Sequence, residues 1–102
     1  MALATISVLK VRFLHSIDEP LIDELEAIFD VLKIHTGCLG YSMSMVQHVS
    51  NSVFISGYWC DESAMQEHFL SAGFATLLEL LMARTFNMEF KTFYMHTEEE
   101  RR

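Results

Sequence analysis

The sequence predicts an α+β fold, in which four strands form one antiparallel sheet and the helices pack on a single face of that sheet. Three observations support this prediction. Strand and helix patterns follow one another in the order β-α-β-β-α-β, which is the ferredoxin-like split βαβ arrangement. The two central strand patterns are separated only by a polar turn at residues 50–52, as in an antiparallel hairpin. Strand positions on both sheet faces are largely apolar, so one face needs a cover that this chain has no helices left to provide.

The first strand and the first helix carry the clearest local signals. Residues 5–14, TISVLKVRFL, are rich in β-branched and aromatic residues, which favours a strand. Ser16 or Asp18 can cap the next helix, and Pro20 suits its first turn, where an N–H is not needed. We expect the helix to end between residues 33 and 36, with Gly37 after its C-terminus. The apolar residues that recur at helical spacing are Leu21, Leu25, Ile28, Phe29 and Leu32.

The second half of the chain predicts two strands, two short helices and a last strand. CLGYSMSMVQHV alternates from Leu39 onward, and VFISGYWC follows as the second strand of the hairpin. Asp61 can cap the next helix, and Gly73 should interrupt the helical pattern. Residues 86–96 should form the last strand. The apolar stripe before the expected break consists of Ala64, Met65, His68, Phe69 and Ala72.

Length and charge limit the possible functions. The 102 residues fit one domain over 1–102, with a core of about 5–96 and a polar tail at 97–102. The formal net charge is −7, which argues against binding to nucleic acid or to an anionic membrane, because both require clustered cations. The hydrophobic content of 51% is high for so short a chain. Surplus apolar surface of this kind predicts a homodimer formed through the open sheet face.

Neither a cofactor nor a metal is predicted. Cys38 and Cys60 are the only cysteines and form no CxxC, so we expect two free thiols in a reducing cytoplasm. Histidines outside the stripe are scattered near element ends, and the sequence has no glycine-rich phosphate loop. The start of the chain is typical of a strand rather than a signal peptide. The longest apolar run, FATLLELLMA, is short and includes Glu79, so a membrane span is not expected.

Several short motifs, in this order and spacing, resemble the antibiotic biosynthesis monooxygenase family over residues 5–96. They are Gly37-Cys38-Leu39-Gly40-Tyr41, Trp59-Cys60-Asp61, Ala64 to His68, and Ser71 to Phe74. The resemblance implies a dimeric α/β-barrel with a pocket between sheet and helices in each subunit. It also implies a cofactor-independent monooxygenase of quinol-like or polyphenolic compounds, a haem-degrading enzyme, or an isomerase of small carbonyl compounds.

Two branches of that family fit this sequence poorly. The haem-degrading branch has an Asn on its first strand and a later helical His, whereas this chain has no Asn there and Leu78 near the His position. The polyketide-oxidising branch has a Tyr soon after its strand-ending Trp, where this chain has Met65. The resemblance therefore favours the branch with a His on the second helix, as in quinol monooxygenase-like and autoinducer-processing members.

His68 is the candidate catalytic residue. An imidazole on the apolar stripe could deprotonate a phenol or an enol, or stabilise the resulting anion, and an electron-rich anion can reduce dioxygen without a cofactor. The alternative is a core histidine without chemistry. The candidate substrate-binding residues are Trp59, Tyr41, Met65 and Phe69, each of which could equally be plain core.

Two classes of function remain open at this stage. One is an enzyme, a cofactor-independent monooxygenase of a small aromatic molecule. The other is a small-ligand binding or accessory protein with the same fold and no catalysis, and an isomerase of a small carbonyl compound stands between the two. Since one fold supports many chemistries, the sequence does not name the substrate.

Overall fold

The computed structural model of the chain describes residues 2–95 and has an α+β fold with one four-stranded antiparallel sheet in the order β2-β3-β1-β4. The predicted fold class is therefore confirmed. Residues 96–102, which include the predicted polar tail, lie outside the described residues. The elements are β1 (Thr5–Phe13), α1 (Glu19–Leu32), β2 (Cys38–Met45), β3 (Ser52–Trp59), α2 (Glu62–Phe69), α3 (Ala72–Arg84) and β4 (Thr85–Tyr94).

The first helix begins and is buried as its sequence pattern predicts. Of the two proposed caps, Asp18 is the one used, because its Oδ1 accepts a hydrogen bond of 3.0 Å from the backbone N–H of Leu21. The helix ends at Leu32, slightly earlier than predicted, and turns lead on to Gly37. Gly37 has a φ of +86°, and a Cβ there would lie 2.5 Å from the Cβ of Ala64. Both facts explain why a glycine stands at this position.

The break between α2 and α3 occurs at Leu70 and Ser71, and the prediction that Gly73 interrupts the helix is wrong. Ser71 has extended backbone angles, and its Oγ accepts a hydrogen bond from the N–H of Phe74. The serine therefore ends one helix and caps the next. Gly73 lies in the first turn of α3, where its missing side chain leaves room for Leu32, since a Cβ would come within 2.9 Å of that side chain.

The two faces of the sheet differ in what covers them. The odd-numbered residues of β1 and β3 face the helices, and Val11, Val53, Ile55 and Trp59 are fully or almost fully buried there. The opposite, outer face carries Ile6, Val8, Lys10 and Arg12 from β1, together with Phe54, Ser56 and Tyr58 from β3. No element of residues 2–95 packs on this outer face, so it is open in the single chain.

None of the helices formed by residues 2–95 combines the length and the apolar composition needed to cross a membrane.

Candidate active site: a buried histidine among aromatic rings

His68 lies in the last turn of α2 and points into the interior, with an exposed fraction of 0%. Asp61 starts this helix, since its Oδ1 accepts a hydrogen bond of 2.7 Å from the N–H of Ala64. Ala64 and Met65, one turn earlier, are buried with His68, as expected for residues three and four positions apart on one helix face. The sequence pattern thus placed His68 on the correct side of the helix.

Aromatic rings surround the imidazole on several sides. The centroid of the Trp59 ring lies 4.5 Å from that of His68, and the rings of Phe74 and Phe69 lie at 4.7 and 5.5 Å. The Tyr41 ring lies at 5.4 Å and the His35 ring at 6.2 Å, both edge-on. These distances are typical of packed aromatic pairs. The cluster brings together side chains from β2, β3, α2, α3 and the turn after α1.

One ring nitrogen of His68 has a polar partner and the other has none. Nε2 lies 3.3 Å from the Tyr41 hydroxyl, in a buried hydrogen bond. Nδ1 is buried and has no hydrogen-bond partner within residues 2–95. A buried polar atom without a partner costs about 1–3 kcal/mol. Such an atom in a folded protein calls for a specific explanation, of which a ligand is one.

Burial shifts the pKa values of His68 and Tyr41 in the directions that favour their neutral forms. Removal of water around the imidazole, with a smaller electrostatic effect of His35, lowers the pKa of His68 to about 4. Burial of the phenol, with a smaller effect of Cys38, raises the pKa of Tyr41 well above its usual value. At neutral pH the site therefore contains a neutral imidazole and a neutral phenol.

Trp59 is held by a hydrogen bond to Ser7, and Gly57 leaves the space that its ring occupies. Its indole N–H donates a buried hydrogen bond of 3.2 Å to the Oγ of Ser7 on the neighbouring strand. A Cβ on Gly57 would come within about 3.0 Å of the Trp59 ring, the Tyr41 ring and the Ser7 Oγ. A glycine at this position therefore leaves room for both rings, which pack edge to face at an interplanar angle of 80°.

The imidazole lines none of five clefts found on the described part of the chain. Two of these clefts border the aromatic cluster. A groove of about 310 Å³ between α1 and β2 includes Tyr41 in its wall. A cleft of about 390 Å³ at the end of α1 includes His35, Glu67 and Ser71. A molecule that touches His68 must therefore displace at least one surrounding side chain.

The structure places the five predicted site residues as follows. His68, Trp59, Tyr41 and Phe69 form one aromatic cluster, and Met65 is buried in the same core. Sequence analysis missed Phe74, His35, Ser7 and Gly57. The register of β1 against β3 could have identified Ser7 and Gly57 as opposite residues, but no local pattern signals that His35 turns its ring toward Trp59, at a centroid distance of 6.0 Å. Within residues 2–95, no three His, Cys, Asp or Glu side chains are grouped as a metal site requires.

Comparisons with known proteins show similarity in structure but not in sequence. No protein family matches the sequence, and no curated protein does. The structure is similar to that of PA3566 from Pseudomonas aeruginosa, with a TM-score of 0.77 and 21% identity over 95% of this chain and 98% of that one. It is also similar to a variant of SnoaB from Streptomyces nogalater, a cofactor-independent oxygenase, with a TM-score of 0.76 and 14% identity over 92% and 95% of the two chains.

A third similar structure is described by the name of the family that the sequence motifs resemble. It is an antibiotic biosynthesis monooxygenase, similar with a TM-score of 0.68 and 15% identity over 91% of this chain and 97% of that one. Identities this low establish the fold alone. The chain therefore has the fold of the antibiotic biosynthesis monooxygenase-like proteins.

Proposed function

We propose that this protein is a cofactor-independent monooxygenase that acts on a small aromatic substrate of the quinol-like or polyphenolic kind. The observation that carries the proposal is the imidazole of His68, which is sealed among aromatic rings and has one nitrogen without a partner. A flat aromatic substrate could replace one of these rings and offer an oxygen to that nitrogen. Similarity to a cofactor-independent oxygenase and to an antibiotic biosynthesis monooxygenase supports the same chemistry.

The proposed reaction balances with dioxygen as the only co-reactant. A substrate carbon next to the phenol or enol changes from CH₂ to C=O and loses four electrons and two protons. One oxygen atom of dioxygen becomes the new carbonyl oxygen, and the other leaves as water with those two protons. The protein's part is to hold the substrate as its electron-rich anion in a site that excludes water.

We propose that the substrate enters through the cleft at the end of α1. His35 lines this cleft, and its ring also lies edge-on to His68 and Trp59, so it borders both the cleft and the aromatic cluster. Movement of His35 would connect the two. We expect His35→Ala to raise the rate of ligand association, measured by stopped-flow fluorescence of Trp59, which is the only tryptophan of the chain.

Oxygen consumption tests the proposed activity. Purified protein is mixed with a panel of polyphenols that carry a conjugated carbonyl group and a CH₂ group next to the phenol or enol, with simple hydroquinones for comparison, and oxygen uptake is followed with an electrode. We expect turnover by the wild type and its loss in His68→Gln. Thr76→Ala, on an exposed position of α3, should keep full activity as the matched control. Uptake that is equal in wild type and His68→Gln would contradict a catalytic role for His68.

The second candidate function is a small-ligand binding or accessory protein without catalysis, or an isomerase of a small carbonyl compound. One observation favours the binding protein, namely that His68 is fully buried and its pKa is lowered to about 4, so that it is a weak base. A ligand that copurifies with the protein, detected by mass spectrometry, together with no oxygen uptake would favour this alternative.

We also propose that two chains associate through their outer sheet faces. The support is the open face itself, where Ile6, Val8, Phe54 and Tyr58 are only half-buried and no described element covers them. A second copy would bury this apolar surface in a large interface of the obligate kind. Sedimentation analysis should find a dimer at micromolar concentration, and a stable monomer would contradict the proposal.

A further inference from the structure

The hydrogen bond between Tyr41 and His68 determines which nitrogen of the imidazole carries the proton. Both groups are neutral at physiological pH because burial opposes charge on either of them. A neutral imidazole has one N–H donor and one bare nitrogen that accepts. The Tyr41 hydroxyl lies 3.3 Å from Nε2, so this nitrogen either accepts from the hydroxyl or donates to it.

Acceptance by Nε2 is the stronger of these two arrangements. A phenol O–H is more acidic than an imidazole N–H and is the better donor, while the bare imidazole nitrogen is more basic than a phenol oxygen and is the better acceptor. The hydroxyl therefore donates to Nε2, and the proton of the ring sits on Nδ1. Since the identity of the protonated nitrogen follows from the bond made by the other one, Tyr41 selects the tautomer.

We propose that Tyr41 is a positioning residue that holds His68 as the Nδ1–H tautomer, and that this N–H donates a hydrogen bond to the anionic oxygen of a phenolate or enolate substrate. The proposal rests on the proposed function and specifies its chemistry, because His68 then stabilises the substrate anion and does not generate it. It also explains the unpartnered Nδ1, which is a donor that a substrate oxygen would satisfy.

The charged and titratable groups around His68 argue against a role as general base. The side chains that face it are His35 after α1 and Tyr41 on β2, and the remaining close rings are the apolar aromatic side chains of α2, α3 and β3. No ion pair within residues 2–95 involves His68. An imidazolium formed by taking a proton would thus be buried without a carboxylate to stabilise it.

This arrangement restricts the class of substrate. An ordinary phenol has a pKa of about 10, far above the lowered pKa of His68, so proton transfer from such a phenol to this imidazole is unfavourable. The substrate should therefore ionise by itself near neutral pH. Phenols and enols conjugated to a carbonyl group meet this condition, and simple monophenols do not.

The tautomer can be measured directly by NMR. Two-bond ¹H–¹⁵N correlation spectra of ¹⁵N-labelled wild type at pH 7 should show a protonated Nδ1 and a bare Nε2 for His68. Tyr41→Phe should increase the population of the other tautomer. Tyr94→Phe, which removes a hydroxyl near Thr92 on an exposed strand end, should leave the His68 signals unchanged. A protonated Nε2 in the wild type would overturn the proposal, and this measurement needs no variant to fold.

Two amide substitutions distinguish a donor at Nδ1 from a base. The amide of His68→Asn branches from Cγ, as Nδ1 does, whereas the amide of His68→Gln reaches toward the position of Nε2. Neither amide can act as a base. The probe is 4-nitrophenol, whose phenol and phenolate forms absorb at different wavelengths. We expect wild type and His68→Asn to bind the phenolate with dissociation constants within about threefold of each other, and His68→Gln to bind it at least tenfold more weakly, as for loss of a hydrogen bond to a charged group.

The possible failures can be told apart. If the Nδ1–H tautomer and phenolate binding are found but no substrate consumes oxygen, the monooxygenase proposal is wrong and the donor role of His68 stands. If oxygen uptake with polyphenols is normal in the wild type but lost equally in His68→Asn and His68→Gln, with phenolate binding unchanged in both, the donor role is wrong and the monooxygenase proposal stands.

Discussion

Apolar side chains lie on both faces of the sheet, but only those on the inner face are buried within the chain. On the inner face, Trp59 and Tyr41 are buried and pack against each other and against His68 of α2. On the outer face, Ile6 and Phe54 are only half-buried within a single chain. The inner face is covered within one chain, whereas the outer face is open and is the surface through which we propose that two chains associate. We therefore expect changes on the inner face to lower the stability of the subunit and changes on the outer face to alter association.

The largest effect should follow from the loss of the central inner ring. Trp59→Ala should lower the free energy of unfolding by about 3–5 kcal/mol, because it removes a fully buried indole and leaves a cavity beside His68. Urea denaturation followed by circular dichroism measures this. Phe86→Ala, at a ring that is 68% exposed, is the control and should change stability by less than about 1 kcal/mol. Equal losses in both variants would contradict the importance assigned to the inner face.

A charge on the outer face should break the dimer and leave the subunit folded. Ile6 faces outward between Tyr58 and Phe93, and Ile6→Asp would bury an unpaired carboxylate in the proposed interface. We expect the dimer dissociation constant to rise at least about 100-fold, or roughly 3 kcal/mol. Sedimentation equilibrium measures it. Thr76→Asp, which introduces the same charge on an exposed helix position, should not change association. An unchanged dimer in Ile6→Asp would place the interface elsewhere.

Acid should destabilise the inner face through His68. Its pKa is lowered from 6.5 to about 4 in the folded protein, so between these values the unfolded chain binds the proton more strongly. The stabilisation that comes from keeping His68 neutral is fully present above pH 6.5 and is lost as the pH falls toward 4. It amounts to at most about 3 kcal/mol.

Comparison with His68→Gln isolates this contribution from those of the carboxylates. Unfolding free energies of both proteins are measured between pH 4 and 7, and the wild type should lose stability more steeply than the variant over that range. Parallel curves for the two proteins would show that His68 does not titrate with a lowered pKa.

The smallest predicted effect compares two glycines on opposite faces. Gly57 lies on the inner face, where a Cβ would approach Tyr41, Ser7 and the Trp59 ring within about 3.0 Å. We expect Gly57→Ala to cost about 1–3 kcal/mol, as for overpacking of a core. Gly40 pairs with Tyr58, and a Cβ there would lie at an ordinary 3.6 Å from that ring. Gly40→Ala should therefore change thermal stability little, and a larger loss there than at Gly57 would contradict the assignment of the faces.

Local sequence patterns were sufficient for the element order, the fold class and the side of α2 on which His68 lies. These features depend on alternation along strands, helical spacing and capping residues such as Asp18 and Asp61, all of which act within a few residues. The predicted position of the helix break was wrong. Ser71 and Gly73 are both plausible breakers, and their roles are separated by the cap that Ser71 provides to Phe74 and by the close approach of Leu32 to Gly73.

Leu39 is a second position whose environment the local sequence pattern does not predict. Alternation alone puts it on the face of Tyr41, yet it is 41% exposed, because the pairing of β2 with β3 shifts between Cys38 and Gly40. An irregularity of this kind adds a residue to one strand and is set by the partner strand rather than by the local pattern.

The sequence by itself determined that a histidine, a tryptophan and a tyrosine stand on apolar positions of three elements. Only the tertiary structure decided that their rings meet, that Tyr41 reaches Nε2 of His68, and that Nδ1 has no partner in the described part of the chain. The physical reason is that sequence patterns act over a few residues, whereas these contacts join residues far apart in the chain. Periodicity reports which face of an element is buried, whereas the distance between two side chains 27 residues apart depends on strand register and helix packing. The open outer face was predicted from the alternation of β1 and β3, because the face on which a strand residue lies is a local property.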